Sequence, residues 1–272
     1  TYQGKETSKL GSVLKLAFGG AAGYLLFMFI IIYGNMIMRS VIEEKTSRII
    51  EVIISSVKPI QLLLGKILGT SLAGITQFVA WVILMGVFSI IITSIFGIDP
   101  SSAQTSQQEL ISQNVEGGTQ QIIQDLILEI NNLPIANLVV MFLFFFIGGY
   151  LLYASLYAAI GAAVDSETDT QQFMLPILMP LILAIYVGFF TVIENPHGTV
   201  SQVFSYIPFT SPVVMLMRIP FGVPIWQQIL SLVILFITFI ATVWFAAKIY
   251  KVGILMYGKK ASYKEMFKWL KY

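Results

Sequence analysis

"MRSVIEEKTSRIIEVIISSVKPIQLLLGKILG", residues 38–69, gathers Arg39, Glu43, Glu44, Lys45, Arg48, Glu51, Lys58 and Lys66 between two of the most apolar stretches of the chain. Charge is scarce elsewhere. Of 272 residues, 57% are hydrophobic and 11% charged, with a mean hydropathy of +0.83, whereas a soluble domain runs at about a quarter charged. This composition implies an integral membrane protein and makes the quoted stretch the place where the chain leaves the bilayer between two spans.

Working outward from it, a hydrocarbon core about 30 Å thick takes roughly 20 apolar residues as a helix. Five stretches qualify, at 16–38, about 67–96, about 136–163, 173–193 and 227–250. The expected fold is therefore all-α, a polytopic helical membrane protein with five transmembrane helices. "PIQLLLGK", ahead of the second span, would make that helix longer than a simple crossing, so Pro59 to Lys66 is expected at the interface or in a strongly tilted helix.

Lys and Arg near span ends set the orientation. Residues 39–66 hold Arg39, Lys45, Arg48, Lys58 and Lys66, and seven further Lys follow from Lys248 onward. Between Lys66 and Arg218 there are none. Placing the two basic regions in the cytoplasm leaves Lys5, Lys9, Lys15 and Arg218 outside and puts the first residue outside as well. The opening "TYQGKETSKLG" has no initiator Met and no export signal, so residues 1–15 are expected to be the end of a larger external region preceded by at least one more membrane helix.

The remaining connections sort by side. Residues 97–135, Ser/Gln-rich and acidic, are expected as an external loop with a short amphipathic helix near 119–131, and residues 164–172 as a short cytoplasmic turn. Residues 194–226 hold five of the ten prolines, which predicts a broken, re-entrant external hairpin containing Pro208, Pro212 and Arg218. Arg218 there has three available roles: attracting an anionic substrate, reaching phosphate headgroups, or bonding carbonyls freed by Pro208, Pro212 and Pro220. Residues 261–272 read as a basic amphipathic tail on the lipid surface.

As a helix, residues 41–58 place Ile42, Ile49, Ile50, Ile53 and Val57 on one face and Glu44, Arg48, Glu51, Ser55 and Lys58 on the other. The pairs Arg39–Glu43 and Glu44–Arg48, four apart, are worth only about 0.2–0.5 kcal/mol each. Stability does not account for the cluster. The helix is expected along the membrane surface, either as a solvated interfacial helix with snorkelling Lys and Arg or as a docking surface, for which its mixed sign argues modestly, since anionic lipid would select mostly Lys and Arg.

Several chemistries are excluded. Cysteine is absent, so disulfides, thiolate metal sites and cysteine nucleophiles fall away. His197, the single histidine, sits in the turn sequence "ENPHG", and no metal site is expected. The polar residues of the spans, Asn35, Thr76, Gln77, Ser89, Thr93, Ser155, Thr191 and Thr238, are uncharged and supply no proton relay. "GGAAGYLL" and "LLLGKILG" each lack part of a phosphate-binding G-x-x-x-x-G-K-[ST] loop, and no catalytic Ser/His/Asp set exists. The chain reads as a non-enzyme whose motor, if it has one, is another polypeptide. Asp165, Glu167 and Asp169 in "DSETDTQQ" lack the central Gly and terminal Glu of a calcium loop; Ser166 and Asp169 instead form an S-x-x-D helix-capping box. Gly19-x-x-x-Gly23 and Gly65-x-x-x-Gly69 permit close helix approach.

"EEKTSRIIEVIISSVKPIQLLLGKILG" resembles the signature segment of ABC-2-type transporter permeases, in particular the NatB-like sodium-extrusion branch. "GAAVDSETDTQQFMLPILMP" (161–180), "YIPFTSPVVMLMRIPFG" (206–222) and "AAKIYKVGILMYGKK" (246–260) match in the same order. The resemblance implies an ABC-2-type transmembrane domain over residues 16–260, acting as the permease subunit of an ATP-driven exporter in the plasma membrane. Residues 39–58 would be its coupling helix, touching a cytoplasmic ATPase through Glu43, Glu44, Lys45, Arg48 and Glu51. Asp165, Glu167 and Asp169 would form a second, smaller contact. The chain itself would bind no cofactor; ATP and Mg²⁺ would sit on the ATPase, and a second permease copy or a similar subunit would complete the pathway. The cargo stays open among Na⁺, drugs, peptides and lipids. The competing readings are a non-transporting scaffold that recruits a cytoplasmic partner through the same helix, and a passive channel, which the lack of charged rings disfavours.

Overall fold

The computed structural model describes residues 9–47, 49, 52, 56–96, 133–256 and 262–270. Within them the chain is helical: α1 (Lys9–Thr46), α2 (Pro59–Phe96), α3 (Ile135–Ala163), α4 (Gln171–Val187), α5 (Thr199–Tyr206), α6 (Ser211–Arg218), α7 (Ile225–Gly253) and α8 (Tyr263–Trp269). Five helices are long and apolar enough to cross a membrane: α1, α2, α3, α7, and α4 with the turns at its two ends. The 119–131 helix and the loop around it lie outside the described residues.

Two of the crossing helices run well beyond their apolar stretches. α1 and α2 each have 38 residues, about 57 Å at 1.5 Å per residue, nearly twice the hydrocarbon thickness. α1 therefore continues without a break from its apolar middle into the charged stretch. α2 starts at Pro59 as one helix, so "PIQLLLGK" forms its first turns rather than a separate interfacial piece; Pro at the first helical position fits, having no N–H to leave unbonded.

α3 is the central helix. It buries Phe142, Phe146 and Tyr150, four residues apart on one face. Phe142 stacks on Phe78 of α2 with centroids 4.3 Å apart, and Phe146 meets Phe29 of α1 edge-on at 5.7 Å. Hydroxyls inside the bundle are used: Tyr33 bonds Gln77, Thr70 bonds Tyr150, and Tyr153 donates to the Phe209 carbonyl at 2.6 Å.

Backbones touch where glycine allows it. A Cβ on Gly161 would lie 2.7 Å from the Met38 carbonyl oxygen, and one on Gly253 2.8 Å from that of Ala162. α1, α3 and α7 thus meet at what we term the charged end. At the opposite, far end, Met217 of α6 enters a socket of Gly19, Gly23 and Gly188. Gly188 opens a π-turn (Gly188–Val192) that continues α4, and Gly222, at φ 86°, ends the turn after α6. A Cβ on Gly65 or Gly69, by contrast, would meet no atom within 4 Å; only the first of the two glycine pairs is a packing contact.

The proline-rich 194–226 segment does not cross. It folds as two eight-residue helices, α5 and α6. All of α6 is buried, with Pro212 seated against Gly149 of α3. The tail helix α8 is not simply laid on a lipid surface: Ser262 caps it by accepting from the Glu265 amide, Tyr263 donates to the Gln172 carbonyl at 3.0 Å, and Trp269 is buried beside Gly253.

Candidate functional site

The charged end is assembled by the overhang of α1. Its last turns carry Arg39, Glu43, Glu44 and Lys45 past the apolar section, and each position points at a different neighbour. Glu43 is exposed. Glu44 accepts from Lys66 of α2 at 2.7 Å, and Lys66 also donates to Ser40 Oγ at 2.9 Å, so the end of α1 and the start of α2 are tied together. Arg39 stands 3.7 Å from Glu167 with both side chains more than half exposed, a geometry that contributes little.

Lys45 is different. Its side chain is 1% exposed and lies 2.9 Å from Asp165 Oδ1, and its ammonium donates to the carbonyls of Ala162 at 2.9 Å and Val164 at 3.2 Å. The ammonium thus sits among three oxygens, two carbonyls that it bonds and one carboxylate oxygen that it pairs with by charge. Two of those oxygens belong to the carbonyl-rich C-terminal end of α3, where a helix leaves acceptors unbonded and favours positive charge.

The sequence places these groups 120 residues apart, and the turn holding Asp165, Glu167 and Asp169 has no basic neighbour along the chain; its partners Lys45 and Arg39 come from α1. Arg39, expected to pair with Glu43 in the same helix, reaches Glu167 instead; Glu44 meets Lys66, and its expected pairing with Arg48 lies outside the described residues. Half of the expected capping box forms in the turn before α4: the Asp169 amide donates to Ser166 Oγ at 3.4 Å, but the Asp169 carboxylate accepts from that hydroxyl at 2.8 Å rather than from the Ser166 amide, and the N-cap positions Glu167 and Thr170 make no side-chain cap bond. Arg48 and Glu51 lie outside the described residues, while Ile49 and Val52, either side of them, are exposed. Lys66, absent from the predicted contacts, stands in the quoted "GK" of residues 65–66.

At the far end Arg218 is fully buried. Its guanidinium donates to the Pro196 carbonyl at 2.7 Å, Ser205 Oγ at 2.5 Å and Gln227 Oε1 at 3.4 Å. Of its three available roles the carbonyl-bonding one is realised, yet on Pro196 rather than on an acceptor freed by a proline: the Phe204 carbonyl, four residues before Pro208, is taken by Thr210 Oγ1 at 2.6 Å. His197 sits in its turn with Nε2 3.2 Å from the Phe221 carbonyl. Among the described residues no group of three or more His, Asp or Glu side chains gathers to hold a metal.

Comparison with known proteins supplies the family. The chain is 29% identical over 261 residues to the uncharacterized protein YhaP of Bacillus subtilis (strain 168), covering 96% of this chain and 56% of that protein. It is 26% identical over 246 residues to the uncharacterized protein MJ1024 of Methanocaldococcus jannaschii, covering 90% of this chain and 51% of that one. The chain thus spans about half the length of the curated relatives it matches. No solved structure matches it. The profile of the ABC-2 family transporter proteins matches residues 2–248, so the five crossing helices, the buried proline-rich pair and the charged end belong to a member of the ABC-2 transporter family.

Proposed function

We propose that the chain is the membrane-spanning permease part of an ATP-driven exporter in the plasma membrane, worked from its charged end by a separate cytoplasmic ATPase carrying ATP and Mg²⁺. Family membership supports transport. The observation that carries the coupling reading is the unbroken α1: a helix about 57 Å long that delivers an exposed Glu43 beyond the apolar section. A rod of that kind passes a push at its charged tip to the apolar body. The bias of Lys and Arg toward this end supports a cytoplasmic orientation, with Glu43, Arg48 and Glu51 as the proposed contacts. Glu44 and Lys45, turned inward, shape the tip. Two such chains, or this chain and a similar one, would enclose the pathway, with Na⁺ extrusion the cargo suggested by the NatB-like signature.

Glu43→Arg reverses one rim charge. In complex purified through a tag on the permease, the amount of bound ATPase is expected to fall about tenfold, the equivalent of roughly 1.4 kcal/mol. Retention of the ATPase at the wild-type level, or a wild-type preparation that carries no nucleotide hydrolase, would count against the reading.

A further inference from the structure

We infer that Lys45 is a positioning residue, a buried clamp that makes α3 and α4 follow the end of α1. The inference rests on the reading of the charged end as the ATPase-facing end. Residues 47–58 are the stretch a partner would push. Both flanks of that stretch enter one polar junction: α2 is tied to α1 through Lys66, Glu44 and Ser40, and α1 is tied through Lys45 to Asp165, Ala162 and Val164. Asp165 lies between α3 and α4, so a single ammonium holds the last carbonyls of one crossing helix and the lead-in to the next.

The backbone around the clamp leaves no slack. Gly161 sets α3 directly on the Met38 carbonyl and Gly253 sets α7 on that of Ala162, so α3 cannot slide past α1 without breaking these contacts. A closely packed interior passes such displacement on rather than absorbing it. The surface pair Arg39–Glu167, at 3.7 Å and exposed, joins the same two elements too weakly to do this alone. Lys45 is thus the link between the pushed segment and the rest of the bundle, and a residue chosen for contact with the ATPase would not be 1% exposed.

The test reads motion at the far end of α4. In the cysteine-less chain, a single cysteine at exposed Glu194 (E194C) reports through its rate of reaction with a membrane-impermeant maleimide. In the tagged complex in nanodiscs, addition of a non-hydrolysable ATP analogue changes that rate. Asp165→Asn, which keeps the shape but not the charge, is expected to shrink the change about fivefold or more, the scale of a typical coupling between sites, with ATPase still bound. Asp165→Glu is expected to restore most of it. A second arm is independent of folding defects: in a chain carrying a fluorescent non-natural amino acid at position 194 in place of the cysteine, cysteines at Arg39 and Glu167, joined by a short thiol-reactive bridge, should leave the nucleotide response intact because the two elements move together. An undiminished response in Asp165→Asn, or loss of the response on bridging, overturns the clamp alone. A wild-type complex in which nucleotide changes nothing at position 194 overturns the transport reading and the clamp with it.

Discussion

Arg218→Ala is expected to destabilise the protein by about 3–5 kcal/mol, the range seen when a large buried side chain is deleted. The side chain has no exposed surface, so its removal opens a cavity under α5 and α6. It also strips a donor from the Pro196 carbonyl and another from the Ser205 hydroxyl, each a hydrogen bond lost from the folded state. Ser205 is itself bound into the bundle, its carbonyl accepting from Ser231 of α7 at 2.6 Å, so the damage reaches a crossing helix. Arg218→Lys keeps the charge, yet one ammonium cannot span acceptors arranged for a planar fork, and it should fall between the two. Thermal unfolding in detergent, followed by the helical circular-dichroism signal, provides the scale; an alanine variant within about 0.5 kcal/mol of wild type, the range of an ordinary surface change, would contradict the assignment.

The two glycine pairs should respond to alanine with opposite signs. At Gly19 the added methyl would lie 2.6 Å from the Met217 carbonyl oxygen, a backbone atom that cannot rotate aside, so α1 and α6 must part and Met217 must leave its socket. A loss of roughly 1–3 kcal/mol is expected, typical of overpacking. At Gly65 and Gly69 nothing lies within 4 Å, and replacing glycine inside a helix should stabilise by about 0.5–1 kcal/mol each. Equal effects at both pairs would show that the Met217 socket is misplaced.

These contrasts also mark what the sequence reveals. The crossing helices were legible because a run of about 20 apolar residues in a chain of this composition has few alternatives. Their ends were not, since α1 keeps its helix into charged residues that could equally have begun a turn. Which face of each helix is buried was hidden for a related reason: α3 is apolar all round, so no polar stripe marks the side carrying Phe142, Phe146 and Tyr150. Gly19 and Gly65 open identical motifs, and only the arrival of Met217 separates them.

The charged stretch was legible as a place, and less so as a set of contacts. Spacing by four favours Arg39 with Glu43, whereas the fold sets Arg39 beside Glu167, and it brings Lys66 from the next helix to Glu44 and Asp165 from 120 residues away to Lys45. Long-range ion pairs of this kind leave no local pattern. Arg218 was visible as a lone charge among prolines, but its partners Pro196, Ser205 and Gln227 become neighbours only when α5, α6 and α7 close around it.

In the proposed arrangement the charged end faces the cytoplasm and is covered there by an ATPase. Single cysteines at Glu43 and at Glu194, both exposed and at opposite ends of the bundle, test it in a chain that has no other cysteine. In intact cells a membrane-impermeant maleimide should label E194C and leave E43C untouched; after permeabilisation E43C should react, and more slowly when the ATPase is bound. Labelling of E43C in intact cells would contradict the account.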